Sequence, residues 1–227
     1  MQLKIKTCGI TKENDIKKLD DLKINNIGFI NIKRSKRYIT EKQIKKYNNK
    51  TSTDSILVLE PNSPGEVLEL MAKTRIYHIQ LHSLTCYEIK YIKWMNKYNH
   101  DYKSNKLHIT RAIGIQDEIT KEKEKEIIEF SKVCDRLLFD SQTDGLTGGT
   151  GKTIKIDNVI KAQEIARKTK KSIEIFLAGG LNLEYLTKIK EDLHYFDGID
   201  LNSKVEKQPG IKDINQINNI KQLITAI

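Results

Sequence analysis

The 227-residue sequence is poor in the residues that interrupt or staple a fold: it holds three prolines, three cysteines and one tryptophan. With no Pro- or Gly-rich stretch and no low-complexity tail, nothing marks a linker that would divide the chain. The odd cysteine set, Cys8, Cys86 and Cys134, lacks metal-ligand spacing and excludes the paired framework of a small disulfide-held domain. No apolar run approaches the ~20 residues needed to cross a bilayer. The amino terminus, Met1-Gln2-Leu3-Lys4-Ile5-Lys6, alternates polar and apolar residues instead of pairing a charged segment with a long apolar one. These absences point to a reducing cytoplasm and no membrane partner.

A concentrated basic patch is also missing. The net charge is +10, yet lysines run from Lys4 to Lys221 interleaved with Asp and Glu. The densest stretch, Lys121-Glu122-Lys123-Glu124-Lys125-Glu126, is nearly neutral and suits a solvated helix face. A nucleic-acid partner would call for clustering on one element or tail, so none is expected.

What the chain does have is alternation. Short β-branched runs at 3–8, 27–32, 55–59, 76–81, 107–113, 136–140, 173–177 and 198–201 alternate with amphipathic runs at 12–24, 40–48, 64–74, 84–99, 117–131, 156–169, 182–191 and 213–225. Several helices open on a residue suited to capping: Thr11, Thr40, Ser63 or Ser83. Segment 99–106 is polar and reads as a loop. Strand–helix units repeated in this way predict an α/β protein, a single (β/α)8 TIM barrel spanning 1–227. The competing architecture, an open doubly wound sheet, would carry its glycine-rich phosphate loop after the first strand.

Here the glycines come late. Gly148-Gly149-Thr150-Gly151-Lys152 and Ala178-Gly179-Gly180-Leu181 follow the sixth and seventh strand-like runs, with Asn202-Ser203 after the eighth. Glycine lets backbone N–H groups close on an anion, and a following helix adds its positive end. Simple turns and helix caps are the alternative use of such glycines. Two clusters in successive units favour a phosphorylated small molecule as ligand.

In a barrel, reactive groups belong at the carboxyl ends of strands. The first run ends in Cys8 and the sixth in Asp140. A thiol ionising near ~8.5 needs nearby positive charge to act as a base. Position alone leaves open whether Cys8 is that base or a small buried hydrophobe. Asp140 precedes the first glycine loop, where burial and a bound phosphate would both favour a protonated acid; its alternative role is to bind loop amides. Gln80, His82 and Asp200 also stand at strand ends, and no His set demands a metal. Arg37, just past the second strand, could clamp a substrate carboxylate in two bonds or lie solvated in its loop.

Read in order, these segments resemble the phosphoribosylanthranilate isomerase family of tryptophan biosynthesis. The matching stretches are Lys6-Thr7-Cys8-Gly9-Ile10-Thr11, Gly28-Phe29 with Ser35-Lys36-Arg37, Gln80-Leu81-His82, Leu138-Phe139-Asp140-Ser141, the two glycine clusters, and Val205-Glu206 with Pro209-Gly210-Ile211-Lys212-Asp213. The resemblance implies a cofactor-free and metal-free Amadori rearrangement on a (β/α)8 barrel, in a monomer or homodimer. It casts Asp140 as general acid, Cys8 as general base and Arg37 as the carboxylate clamp. Gln80, His82 and Asp200 then lie around the substrate. Amides near Gly149, Thr150, Gly151, Gly179, Gly180 and Ser203 would hold the phosphate.

Three positions depart from the family pattern. Lys204 replaces a glycine beside Ser203, and either swings clear or adds its ammonium to the phosphate. Lys36 stands where proline is usual, and Ser83 where glycine is usual. The last two alter loop stiffness more than chemistry.

Overall fold

A computed structural model describes residues 2–98, 106–115, 118–140 and 156–226. Eight parallel strands form a closed barrel in chain order: β1 (Lys4–Cys8), β2 (Asn26–Ile30), β3 (Asp54–Leu59), β4 (His78–Leu81), β5 (His108–Gly114), β6 (Arg136–Asp140), β7 (Glu174–Ala178) and β8 (Gly198–Leu201). The barrel closes where Lys6 on β1 pairs with Asp200 on β8, which excludes the open doubly wound sheet. Around it run α1 (Glu13–Asp21), α2 (Glu41–Asn48), α3 (Pro64–Thr74), α4 (Cys86–Tyr98), α5 (Lys121–Val133), α6 (Ile156–Thr169), α7 (Leu183–Lys188) and α8 (Ile214–Thr225). No helix among the described residues is long and apolar enough to cross a membrane.

Successive strand residues alternate between the helices and the barrel axis. Ile5, Ile27, Phe29, Leu57, Leu137, Ile175 and Ile199 belong to the large buried cluster that the helices cover. The axis holds two smaller apolar groups, Cys8 with Ile30, Ile56 and Val58, and Ala112 with Leu138, Phe176 and Ala178. Polar side chains share the interior with them. At its amino-terminal end Glu174 accepts from Lys4 Nζ at 2.7 Å and from Arg136 Nη2 at 2.7 Å, with His108 Nε2 3.8 Å away. Gly198 fits Phe176 beneath the barrel wall, because a Cβ there would lie 2.5 Å from Phe176 Cζ.

The expected elements all form, with differences at their ends. Thr40 and Ser63 cap α2 and α3 through the N–H groups of Gln43 and Glu66. Thr11 does not cap α1; its hydroxyl donates to Gly210 O at 2.6 Å. Ser83 donates instead to Pro61 O at 2.6 Å, and α4 is capped by Thr85, which exchanges bonds with Glu88. The helix expected over 182–191 stops at Lys188, and a 3-10 helix continues over Lys190–Tyr195. Of the predicted loop 99–106, residues 99–105 lie outside the described residues.

One element is new. After a 3-10 turn at Ser203–Val205, strands β9 (Glu206–Gln208) and β10 (Ile211–Lys212) form an antiparallel hairpin before α8.

Candidate active site

The carboxyl ends of β1 and β8 hold a buried charged core. Lys6 Nζ lies 2.6 Å from Asp200 Oδ2, with side-chain exposures of 1% and 7%. Cys8, two residues further along the same face of β1, is buried as well. Burial works against the Lys6 charge, but Asp200 and Cys8 outweigh it and hold the ammonium above the ordinary lysine range. Burial is also the main influence on Cys8 and pushes the thiol up, while Lys6 and Lys212 pull in the other direction. Two buried lysines, each bonded to a carboxylate, thus act on the thiol. The second oxygen of Asp200, Oδ1, is buried with no hydrogen-bond partner among the described residues.

Gly9 organises the next layer. Its φ is +76°, a left-handed conformation that glycine adopts without strain. A Cβ there would lie 2.5 Å from Arg37 Cδ and 2.8 Å from Asn202 Oδ1. The missing side chain therefore lets the Arg37 stem and the Asn202 amide close over the residue that follows Cys8. Arg37 gives its Nε and Nη2 edge to Glu206, at 2.9 and 2.5 Å. Glu206 also accepts from Lys212 Nζ at 2.8 Å and from Gly210 N at 3.0 Å. Lys212 Nζ completes the set with Asn202 Oδ1 at 3.1 Å. The Arg37 and Lys212 bonds, working against burial, bring Glu206 below the usual carboxylate range. Burial lowers Lys212, with Glu206 opposing it.

The other wall of the mouth is more open. A cavity of about 500 Å³ reaches from Arg34 and Glu60 past His82 to Asp140. Asp140 ends β6 at partial exposure, three strands from β1 by way of β7 and β8. Gln80 Nε2 and His82 Nε2 are 3.1 Å apart. With the amide donating, the His82 proton sits on Nδ1. Arg34 forms a two-bond pair with Glu60, both contacts at 2.8 Å.

The expected phosphate residues are only partly within reach. Gly149, Thr150 and Gly151 lie outside the described residues. Gly179 and Gly180 take φ values of +100° and +62° at the end of β7, as a tight turn into α7 requires. Ser203 and Lys204 begin the exposed 3-10 turn after β8. Strands seven and eight end side by side, so the second and third parts of the predicted cup share one edge of the mouth. No group of three or more His, Cys, Asp or Glu among the described residues is arranged to hold a metal ion.

The structure gathers Cys8, Arg37 and Asp200 on one side of the mouth and Gln80, His82 and Asp140 on the other. Sequence reasoning did not assign Lys6, Glu206 or Lys212 to the site, and it placed Asn202 with Ser203 at the phosphate, not beside Cys8. Lys6 could have been found, since a lysine two residues before Cys8 on one strand must share its face. Glu206 and Lys212 reach the site only through the short hairpin.

A closed parallel barrel whose mouth gathers a thiol, carboxylates and buried cations has the make-up of a barrel enzyme's active site. Residues 5–223 match the family model for N-(5'-phosphoribosyl)anthranilate (PRA) isomerase, and the chain belongs to that family. It is 30% identical over 230 residues to the N-(5'-phosphoribosyl)anthranilate isomerase of Methanothermobacter marburgensis, covering 99% of this chain and 96% of that one. The isomerase of Rippkaea orientalis is also 30% identical, over 231 residues, with coverage of 99% and 96%. Among solved structures, the phosphoribosylanthranilate isomerase of Thermotoga maritima superposes with a TM-score of 0.80 at 21% identity, covering 99% of this chain and 100% of that one. A phosphoribosylanthranilate isomerase in complex with reduced 1-(o-carboxyphenylamino)-1-deoxyribulose 5-phosphate superposes with a TM-score of 0.78 at 18% identity, with the same coverage.

Proposed function

We propose that this chain catalyses the family's Amadori rearrangement, turning N-(5'-phosphoribosyl)anthranilate into 1-(2-carboxyphenylamino)-1-deoxyribulose 5-phosphate, an aldose–ketose isomerisation within one molecule. The observation that carries this reading is the placement of a thiol, Cys8, and a carboxyl, Asp140, at the ends of β1 and β6 around one mouth. In this scheme the Asp140 carboxyl gives its proton to the ribose ring oxygen as the C1′–O bond breaks. The anilino nitrogen supplies the electron pair, and an iminium forms at C1′. The Cys8 thiolate takes the proton from C2′, and the C–H electrons form the C1′=C2′ bond of an enolamine. Protonation at C1′ and loss of the C2′ hydroxyl proton then give the ketone. No cofactor or metal enters these steps.

Arg37 suits the carboxylate of the anthranilate ring. Glu206 occupies its Nε edge, which leaves the Nη1 side, a second two-proton edge, for a substrate carboxylate. The phosphate would bind at the opposite end of the ligand, against Gly149, Thr150, Gly151, Gly179, Gly180, Ser203 and the Lys204 backbone. Two anchored ends hold the ribose between base and acid, which is the positional requirement of the reaction. Asp200 acts through Lys6 as a positioning residue, and Gln80 with His82 lines the approach to the ring. The whole chain serves as one barrel unit on a small phosphorylated substrate.

The test is to generate phosphoribosylanthranilate in situ, add the purified chain without metal, and follow the decay of its fluorescence. Loss above the spontaneous rate with the unaltered chain, and none with Cys8→Ser, is expected. Decay at the spontaneous rate in both would overturn the reading.

A further inference from the structure

The buried groups around Cys8 do not balance in charge. Facing the thiol or the groups bonded beside it are Lys6 from β1, Asp200 from β8, Arg37 from the segment after β2, and Glu206 and Lys212 from the β9–β10 hairpin. That is three cations against two carboxylates. Arg136 on β6 also acts on Asp200 but is matched by Glu174, to which it is bonded. Asp15, on α1, binds the backbone N–H of Lys212 at 2.9 Å, whereas the ammonium reaches the other way to Glu206 and Asn202. Arg37 and Lys6 are each committed to one carboxylate. Lys212 shares Glu206 with Arg37, so it is the cation in excess.

Its position is fixed by contacts independent of titration. Asn202 Oδ1 lies 3.1 Å from Lys212 Nζ and within 2.8 Å of the point where Gly9 would carry a Cβ. That holds the ammonium on the amide that packs over Gly9, the residue bonded to Cys8. The Lys212 side chain is fully buried, so water screens its charge poorly.

We propose that Lys212 is a positioning residue for the general base, its hydrogen-bonded ammonium supplying the unmatched positive charge that offsets burial and favours the Cys8 thiolate. Ionisation of Cys8 neutralises the cluster, since three cations then face three anions. The proton leaves to water, so no other reactant is required. The hairpin is thus a functional part of the site. The inference rests on the reading of Cys8 as base, but its test needs no substrate.

The pH midpoint of Cys8 ionisation is read from thiolate ultraviolet absorbance, as the difference between each protein and its Cys8→Ser counterpart. In Lys212→Met, a rise of about one pH unit is expected, equivalent to a tenfold loss of thiolate below the midpoint. Lys212→Arg retains the charge and restores most of the thiolate. Glu206→Gln removes a carboxylate and should move the midpoint down, which provides a second reading if Lys212→Met does not fold. In the isomerase assay, kcat should fall in Lys212→Met with its acid limb displaced to higher pH. An unmoved midpoint in folded Lys212→Met, or an upward shift in Glu206→Gln, overturns the assignment. If the midpoints move as expected while no protein isomerises phosphoribosylanthranilate, the electrostatic role stands and the activity reading falls alone.

Discussion

Gly28 stands directly across from Cys8 in the β1–β2 register, and a Cβ at Gly28 would lie only 2.8 Å from the Cys8 sulfur. The bare backbone of β2 is the wall against which the thiol rests. Gly28→Ala should cost about 1–3 kcal/mol through overpacking and lower kcat by roughly 10–100-fold through displacement of the base. Melting curves and kcat together check this. Adding Cys8→Ala should return part of the stability and none of the activity.

Cys8→Ser and Asp140→Asn should each remain folded and lose about two to four orders of magnitude in kcat/KM. Circular dichroism with steady-state kinetics provides the check. Near-normal turnover in either variant would remove that residue from its role.

Arg37→Ala should raise KM strongly while inorganic phosphate still raises the melting temperature, because in the proposed pose the guanidinium holds the carboxylate and other groups hold the phosphate. Arg37→Lys should recover little, since a lysine cannot serve Glu206 and a substrate carboxylate with two parallel edges. Equal loss of substrate and phosphate binding would contradict this division.

The amino-terminal end of the barrel sets the acid limit of stability. Burial, then Arg136, brings His108 down from 6.5 to about 4. Its neutral form is therefore favoured in the fold, and the unfolded chain takes up the proton first as pH falls. Stability present above 6.5 should decline between 6.5 and about 4. The bonds from Lys4 and Arg136 overcome burial and hold Glu174 at about 2 instead of 4.5. A second decline follows between 4.5 and about 2, as the unfolded carboxylate binds its proton first. Denaturant midpoints measured against pH should flatten in the upper window for His108→Gln and in the lower for Glu174→Gln. Activity assays at neutral pH would not reveal either effect.

The barrel was legible in the sequence because each strand turns apolar residues such as Ile5, Phe29 and Leu137 toward the helices, which gives eight recognisable runs. The interior was harder to read. Lys6 and Arg136 are buried polar residues, and each looks like an ordinary strand interruption until closure brings partners to it, whereas Gln80 and Asp200 stand out as polar strand ends. The Asp140 carboxyl and the Cys8 thiol could be picked out as strand-end residues, as could the arginine just beyond β2. The Arg37–Glu206–Lys212 network could not, since its partners are far apart in sequence and its hairpin strands are three and two residues long, too short for periodicity. Thr11 and Ser83 show the same limit locally: both look like caps, but a distant carbonyl takes each hydroxyl.

Lys6 and Asp200 are separated by 194 residues of chain, and Arg37 and Glu206 by 169. During synthesis Cys8, Lys6 and Arg37 therefore precede their partners Asp200, Glu206 and Lys212 by most of the barrel. Until β8 is made, that edge of β1 has no strand to close on, and until the hairpin follows, the thiol lacks Glu206 and Lys212. A product truncated before the hairpin would carry Cys8 without Glu206 and Lys212, and so without the charge on which its proposed role depends.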